Sequence, residues 1–189
     1  MTPTLSPARQ PTLWRTCRVL ANRKRLRILA LSIRQPNQTV SAVSRQMRLS
    51  LPAASQYLRA LEARGLLTCQ RVGRRVEYRS AAATTKSAGG EILSALRLEF
   101  RRKAQPIEAL FKLATAFTQP RRVEVFRAVK NGTDSLSKLQ AATQIPARAL
   151  SRHLTKLEAR GFVKSEREIY QVTKQAHPLG RVLARLAGQ

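Results

Sequence analysis

Apolar residues recur along this chain at intervals of three and four, and the pattern breaks twice into short alternating stretches. The first stripe, Leu13, Trp14, Cys17 and Leu20, predicts a helix over 11–21. A second helix is expected over 23–34 after a short break. A third, over 40–47, follows Thr39, a residue suited to an N-cap. The fourth, over 51–64, has Ser50 as its cap and Pro52 in its opening turn. Its inward stripe is Ala54, Leu58 and Leu61, and Gly65 stands where a left-handed C-terminal residue is wanted. Beyond Gly65 the period changes to two. Residues 66–70 and 76–79 read as strands joined by Arg71–Arg75 around Gly73, a β-hairpin. Thr84–Gly90 is small and polar and reads as a hinge. A last helix over about 91–104 carries Ile92, Leu93, Leu96 and Phe100.

The same series then runs a second time. Leu61-Glu62-Ala63-Arg64-Gly65 recurs unchanged as Leu157-Glu158-Ala159-Arg160-Gly161, 96 residues later. Ser41, Ala53, Ser55 and Leu58 recur in that register as Ser137, Ala149, Ser151 and Leu154. Upstream the register is 97: Leu13, Trp14, Cys17 and Leu20 match Leu110, Phe111, Ala114 and Phe117, and Arg25 and Leu29 match Arg122 and Phe126. The slip falls in the polar turns 35–39 and 131–135, where a change of length costs least. Helices are therefore expected over 106–118, 120–130, 136–143 and 147–160, with 178–187 closing the copy. Pro120 fits a first helical turn, Ser135 a cap and Gly161 a helix end. The expected organisation is a loose leader over 1–10, a first domain over 11–104 and a second over 105–189.

Helix, helix, helix, turn, helix, hairpin is the order of a winged helix-turn-helix. Asn22–Leu29 (NRKRLRIL) and Leu49–Leu67 (LSLPAASQYLRALEARGLL) resemble the ArsR-type transcription regulators of bacteria and archaea. The likeness covers about 11–104 well and 106–187 more weakly. It implies a mainly α fold with small β-hairpin wings and duplex DNA as the partner. The family's unit dimerises through its first and last helices. Two tandem winged helix-turn-helix units in one chain then imply an internal pseudo-dimer, with 11–21 against 106–118 and 91–104 against 178–187.

On this reading 51–64 is the recognition helix, and its outward face offers Ala53, Ser55, Gln56 and Arg59 to the major groove. Gln pairs bidentately with adenine, Ser serves several base edges, and Ala meets a thymine methyl. Tyr57 lies beside that face, within reach of a phosphate. Arg71, Arg74 and Arg75 on the hairpin suit a narrow minor groove or flanking phosphates. The second recognition helix offers Arg148, Ser151, Arg152 and His153. Its hairpin departs from the first. Aligning Tyr170 with Tyr78 removes about four residues from the tip, and Glu166 and Glu168 stand where arginines stood. The second wing is thus at most a weakened one. Either that unit reads a half-site through its helix alone, or it serves mainly as a dimerisation partner.

Charge agrees with this picture. The chain has 189 residues, 36 Lys and Arg against 10 Asp and Glu, and a formal net charge of +26. At 43% hydrophobic it retains enough apolar material for a core, so it is not a polybasic tail. The excess points to a polyanion, nucleic acid first and an anionic membrane surface second. It is spread along the chain: 17 basic and 2 acidic residues over 1–90, 19 and 8 over 91–189.

Other classes find little support. No apolar run approaches a membrane span or a signal peptide, so a cytoplasmic, nucleoid-associated protein is expected. Two cysteines, Cys17 and Cys69, make no disulfide framework, although a redox pair stays open. ArsR-type metal sensors often carry Cys-x-Cys in the third helix, where this chain has Thr39 and Ser41. Their other usual site needs His and acidic residues on the last helix. The only histidines, His153 and His177, lie in no such cluster, so no metal or cofactor is expected. Without a glycine-rich phosphate loop or a nucleophile–base pair, an enzyme is not expected either. The leading expectation is a sequence-specific transcription regulator using two recognition helices in successive major grooves. An architectural, nucleoid-type DNA binder of low specificity is the alternative, and a module binding protein or RNA within a larger machine is a third. Further pairing of whole chains stays open.

Overall fold

Residues 12–81, 87–101 and 107–189 are described by the structure, a computed structural model. Several helices begin where a side chain satisfies one of the first free N–H groups. α1 spans Leu13–Leu20 and α2 Arg23–Arg34, the latter opened by Asn22, whose side chain accepts from the Arg25 N–H at 3.0 Å. α3 (Val40–Met47) is capped by Thr39 and α4 (Leu51–Glu62) by Ser50. Between α2 and α3 lies a two-residue strand, β1 (Gln38–Thr39). After α4 come β2 (Leu67–Val72), β3 (Arg75–Ser80) and α5 (Ala88–Arg101). The second series is α6 (Ile107–Ala114), tightening into a 3-10 turn at Thr115–Phe117, then α7 (Pro120–Lys130), α8 (Leu136–Thr143) and α9 (Ala147–Glu158). It ends with β4 (Val163–Glu166), β5 (Ile169–Val172) and α10 (Pro178–Ala187). The protein is mainly helical, with one antiparallel sheet ordered β1-β3-β2 and a second of β4 and β5.

The repeat extends to backbone detail. α3 and α8 both end on a non-glycine residue in the left-handed region, Arg48 at φ 49° and Gln144 at φ 54°. Gly65 and Gly161 follow α4 and α9 at φ 65° and 72°, a conformation that glycine adopts without the Cβ penalty. The cores differ in chemistry. Leu20, Leu29 and Leu66 are fully buried in the first series. Their counterparts Phe117, Phe126 and Phe162 form an edge-to-face cluster, with ring centroids 4.8 to 6.2 Å apart.

Contacts between the series join first helix to first helix and last to last, and also α2 to α6 and α1 to α10. α1 packs on α6 and the 3-10 turn, and α5 packs on α10. Glu91 of α5 pairs with Arg185 of α10, and Glu99 Oε2 lies 3.7 Å from His177 Nε2. Those two pairs run in opposite directions along the helices, so α5 and α10 are antiparallel. Arg23 of α2 clamps Glu108 of α6 through two bonds of 2.6 and 2.8 Å and lies over the Phe111 ring, 3.9 Å from its centroid.

Several expectations need correction. The hinge placed over Thr84–Gly90 is wrong at its end: Gly89 and Gly90 are buried in the first turn of α5. Ser87 Oγ accepts from the Gly90 N–H at 3.1 Å, and this cap starts the helix three residues earlier than its apolar stripe suggests. Strand β1 is not expected from the polar turn 35–39; Gln38 and Thr39 gain order by pairing with Tyr78 and Glu77. In the second series the corresponding contact is a single bond, from the Tyr170 N–H to the Asp134 carbonyl at 2.7 Å. The helices foreseen over 51–64 and 147–160 stop at Glu62 and Glu158. The leader over 1–10, Thr84–Lys86 and the end of the helix foreseen to 104 lie outside the described residues. No helix among the described residues is long and apolar enough to cross a membrane.

Candidate nucleic-acid interface

α4 is held by its inward stripe, since Ala54, Leu58 and Leu61 are completely buried. The opposite side leaves Gln56 and Arg59 exposed, with Ala53 and Ser55 half-buried. Tyr57 is half-buried and packs against the core, so its ring is partly committed to the fold. Arg59 lies near Tyr78 of β3 and its charge favours the ionised phenol. Burial, then the charge of Glu62, pushes the Tyr78 phenol up against that influence.

The first hairpin differs in detail from the expected five-residue turn. Its strands continue to Val72 and Arg75, leaving a two-residue loop of Gly73 and Arg74. Gly73 has φ 60° and Arg74 is not in the left-handed region, the pattern of a type II′ turn. Extending the strands separates the three arginines, because successive side chains face opposite ways. Arg71 shares a face with Cys69 and Tyr78, and that face turns to α4, since Cys69 Sγ donates to Glu62 Oε1 at 2.8 Å. Arg75 stands on the other face with Arg79, and Arg74 sits at the tip; all four are exposed. Arg79 is not singled out by the sequence, where only a strand register would reveal its companionship with Arg75.

In the second series Arg148, Ser151 and Arg152 are exposed on α9 and His153 is half-buried. The Ser151 hydroxyl donates back to the Ala147 carbonyl at 3.0 Å. The hairpin is shorter by two rungs. Beyond Cys69–Tyr78 the first hairpin has three further pairs; beyond the equivalent Ser165–Tyr170 the second has only Glu166–Ile169. This accounts for the four residues missing from the tip. Arg167 and Glu168 form the loop with φ 51° and 63°, both left-handed, and Lys164 is neutralised by Glu166 at 2.7 Å. The tip therefore offers little positive charge.

Between α7 and α9 the structure gathers Arg152 and His153, expected from the sequence, with Gln119, Arg122 and Lys156, which the sequence does not single out for a site. A cavity of about 590 Å³ is lined there by Gln119, Arg122, Arg152, His153, Thr155 and Lys156, among others. Arg122 is only 6% exposed, an unusual place for a guanidinium. Its Nη1 donates to the Thr115 carbonyl at 2.9 Å and its Nη2 to Thr118 Oγ1 at 3.5 Å. Burial, then the charges of Arg122, Arg121 and Arg152, holds the His153 imidazole below its ordinary value. Burial, then Arg160 and Arg122, does the same to the Lys156 ammonium.

Both thiols are free. Cys17 is buried in α1, and burial pushes it well above the usual thiol range; Cys69 is exposed on β2. No group of three His, Cys, Asp or Glu side chains comes together as a metal site among the described residues. No protein-family model matches the chain, and no curated protein matches it.

Proposed function

We propose that the protein is a sequence-specific, double-stranded DNA-binding transcription regulator built as two tandem winged helix-turn-helix units in an internal pseudo-dimer. One observation carries this reading. In each series a short helix and a turn precede a twelve-residue helix with one polar, outward face, and an antiparallel hairpin follows it. α4 and α9 would each enter a major groove through Ser55, Gln56 and Arg59, and through Arg148, Ser151 and Arg152. Arg71, Arg74, Arg75 and Arg79 would hold the flanking backbone or minor groove beside the first unit. The α1–α6 and α5–α10 contacts would set the spacing of the two helices.

The net charge of +26 also favours a second reading, an architectural DNA binder working through phosphates alone. Selection of bound sequences from a random duplex pool, followed by affinities at physiological salt, separates the two. A regulator binds its selected site about 10³-fold or more above random DNA. A ratio near one defeats the regulator and leaves the architectural protein. No DNA binding at all defeats both.

A further inference from the structure

The second hairpin has lost the arginines of the first, yet positive charge is gathered elsewhere in that half. Three cations and an imidazole face the cavity between α7 and α9: Arg122, Arg152, Lys156 and His153. Among the described residues none of the four forms an ion pair with a carboxylate. Arg122 is 94% buried, and its Nε–H has no acceptor. A buried guanidinium donor without a partner costs free energy unless something accepts from it. Like charges gathered around a half-buried space also repel one another more than they would in water.

The first series lacks this cluster, although Arg25, the equivalent of Arg122, likewise has a buried Nε–H without an acceptor. The residues equivalent to Gln119, Arg122, Arg152, His153 and Lys156 are Asn22, Arg25, Gln56, Tyr57 and Ala60. Three positions on the helix have thus exchanged neutral groups for cationic or titratable ones, and only in the half whose hairpin tip is short and partly acidic. A core role does not explain Arg152 or Lys156, because neither is buried. Tetrahedral anions carrying several acceptor oxygens match this set: one accepts from guanidinium, ammonium and imidazole donors at once.

We propose that the α7–α9 cavity is a phosphate-binding site, with Arg152, Lys156 and His153 as its outer donors and Arg122 as its buried cation. The shared chemistry is a phosphate ester, and two sources can supply it. One is a backbone phosphodiester of bound DNA, which rests on the function proposed above; the site would then supplement the shortened wing. The other is a free phosphorylated small molecule, for which the cavity volume is ample.

The test uses the whole chain and the variant R152Q/H153Y/K156A, which copies Gln56, Tyr57 and Ala60 from α4 onto α9. Copying residues that the fold already accepts at equivalent positions protects folding, and unchanged thermal unfolding verifies it. The chain has two histidines, so its imidazole NMR signals are two, with His177 in the α5–α10 seam as internal control. Inorganic phosphate is titrated at fixed pH against chloride of equal ionic strength. The His153 signal is expected to move saturably with phosphate only, while His177 stays. K156A alone should weaken phosphate several-fold and K156R should restore it. In the second arm, binding of random duplex DNA is measured against salt. If the source is DNA, the double variant H153Y/K156A, which keeps Arg152 for the groove, has a slope shallower by about one unit for each phosphate it no longer neutralises. A saturable phosphate response with an unchanged DNA slope assigns the site to a free phosphorylated ligand. No phosphate response beyond chloride, together with an unchanged DNA slope, overturns the proposal and leaves the DNA reading standing. A phosphate response in a protein that binds no DNA keeps the site and removes the proposed function.

Discussion

Arg167 and Glu168 occupy the two loop positions of the second hairpin, both with positive φ. Each left-handed non-glycine residue costs on the order of 1 kcal/mol, and Asn-Gly is the pair that such a loop prefers. Replacing Arg167 by Asn and Glu168 by Gly should therefore raise stability by about 1 kcal/mol, or roughly 2–4 °C in a chain of this size. Thermal unfolding of the double variant checks it, and a lower midpoint would contradict the loop conformation. A second residue-scale outcome concerns Cys69. Its hydrogen bond to Glu62 is the largest influence raising its thiol, followed by burial and the Glu62 charge. Glu62→Gln removes the carboxylate, so the pKa falls and more thiolate forms at a given pH. Alkylation of Cys69 at about pH 8 should become faster. Cys17 should stay unreactive in the folded chain, being fully buried. Equal rates for parent and variant would show that the Cys69–Glu62 hydrogen bond does not form in solution.

At the scale of elements, the three phenylalanines of the second core make a sharp comparison. Phe126→Ala opens a cavity amid Phe117 and Phe162 and should cost about 3–5 kcal/mol. Phe126→Leu, which copies Leu29, should cost markedly less, since it keeps much of the apolar contact. Denaturant unfolding of both variants tests the ranking. The α2–α6 clamp adds a pH signature. The Arg23 hydrogen bond is the main cause holding the Glu108 carboxyl below its ordinary range. A carboxylate with a depressed folded pKa stabilises above its unfolded value, near 4.3, and loses that contribution as pH falls through the folded one. Glu108→Gln should flatten the acid limb of the thermal midpoint against pH. The effect is expected to be small, because both partners are exposed.

Much of this level could be read from apolar spacing. The stripes of α1, α4 and α10 and the period change after Gly65 are local signals, and each lies within one or two residues of the observed element. What escaped depends on distant partners for the strands and on capping and packing detail for the helices. β1 exists only because Tyr78 and Glu77, forty residues away, supply its pairing. α5 begins at Ala88 because Ser87 caps it and because Gly89 and Gly90 pack inside, against composition that reads as a hinge. The placement of Arg75 with Arg79 needs the strand register. Arg122 is buried with its guanidinium bonded to Thr115 and Thr118 on the preceding turn, and an arginine in a helix carries no sequence mark of being interior.

Across the whole molecule, the two halves share a backbone plan while dividing their charge differently. The first sets Arg71, Arg74, Arg75 and Arg79 on its hairpin; the second sets Arg148, Arg152 and Lys156 on α9, where α4 has Arg59 alone. On the proposed function this asymmetry has a measurable result. Arg74→Ala with Arg75→Ala should make the salt dependence of DNA affinity shallower by about one unit per phosphate left without its arginine. Arg167→Ala should change it less, because Glu168 and Glu166 already offset that tip. Two unlike recognition faces also call for unlike half-sites, and footprinting on a selected sequence is expected to show an imperfect palindrome. A perfect palindrome would mean that only one face reads bases, or that whole chains pair.

The seam between α5 and α10 bears on that last alternative. α5 contributes both acids, Glu91 and Glu99, and α10 both of the groups that meet them, Arg185 and His177. Were two α5 helices to meet in the same antiparallel manner, carboxylate would face carboxylate; two α10 helices would bring guanidinium toward imidazole. Carboxylates forced together inside a packed interface disfavour an α5–α5 assembly, and an α10–α10 one would leave Arg185 without its acid. The seam thus tells self from complement. A first half is directed to a second half, and because the two are joined in one chain, the correct partner is always at hand, at a concentration that dilution does not change.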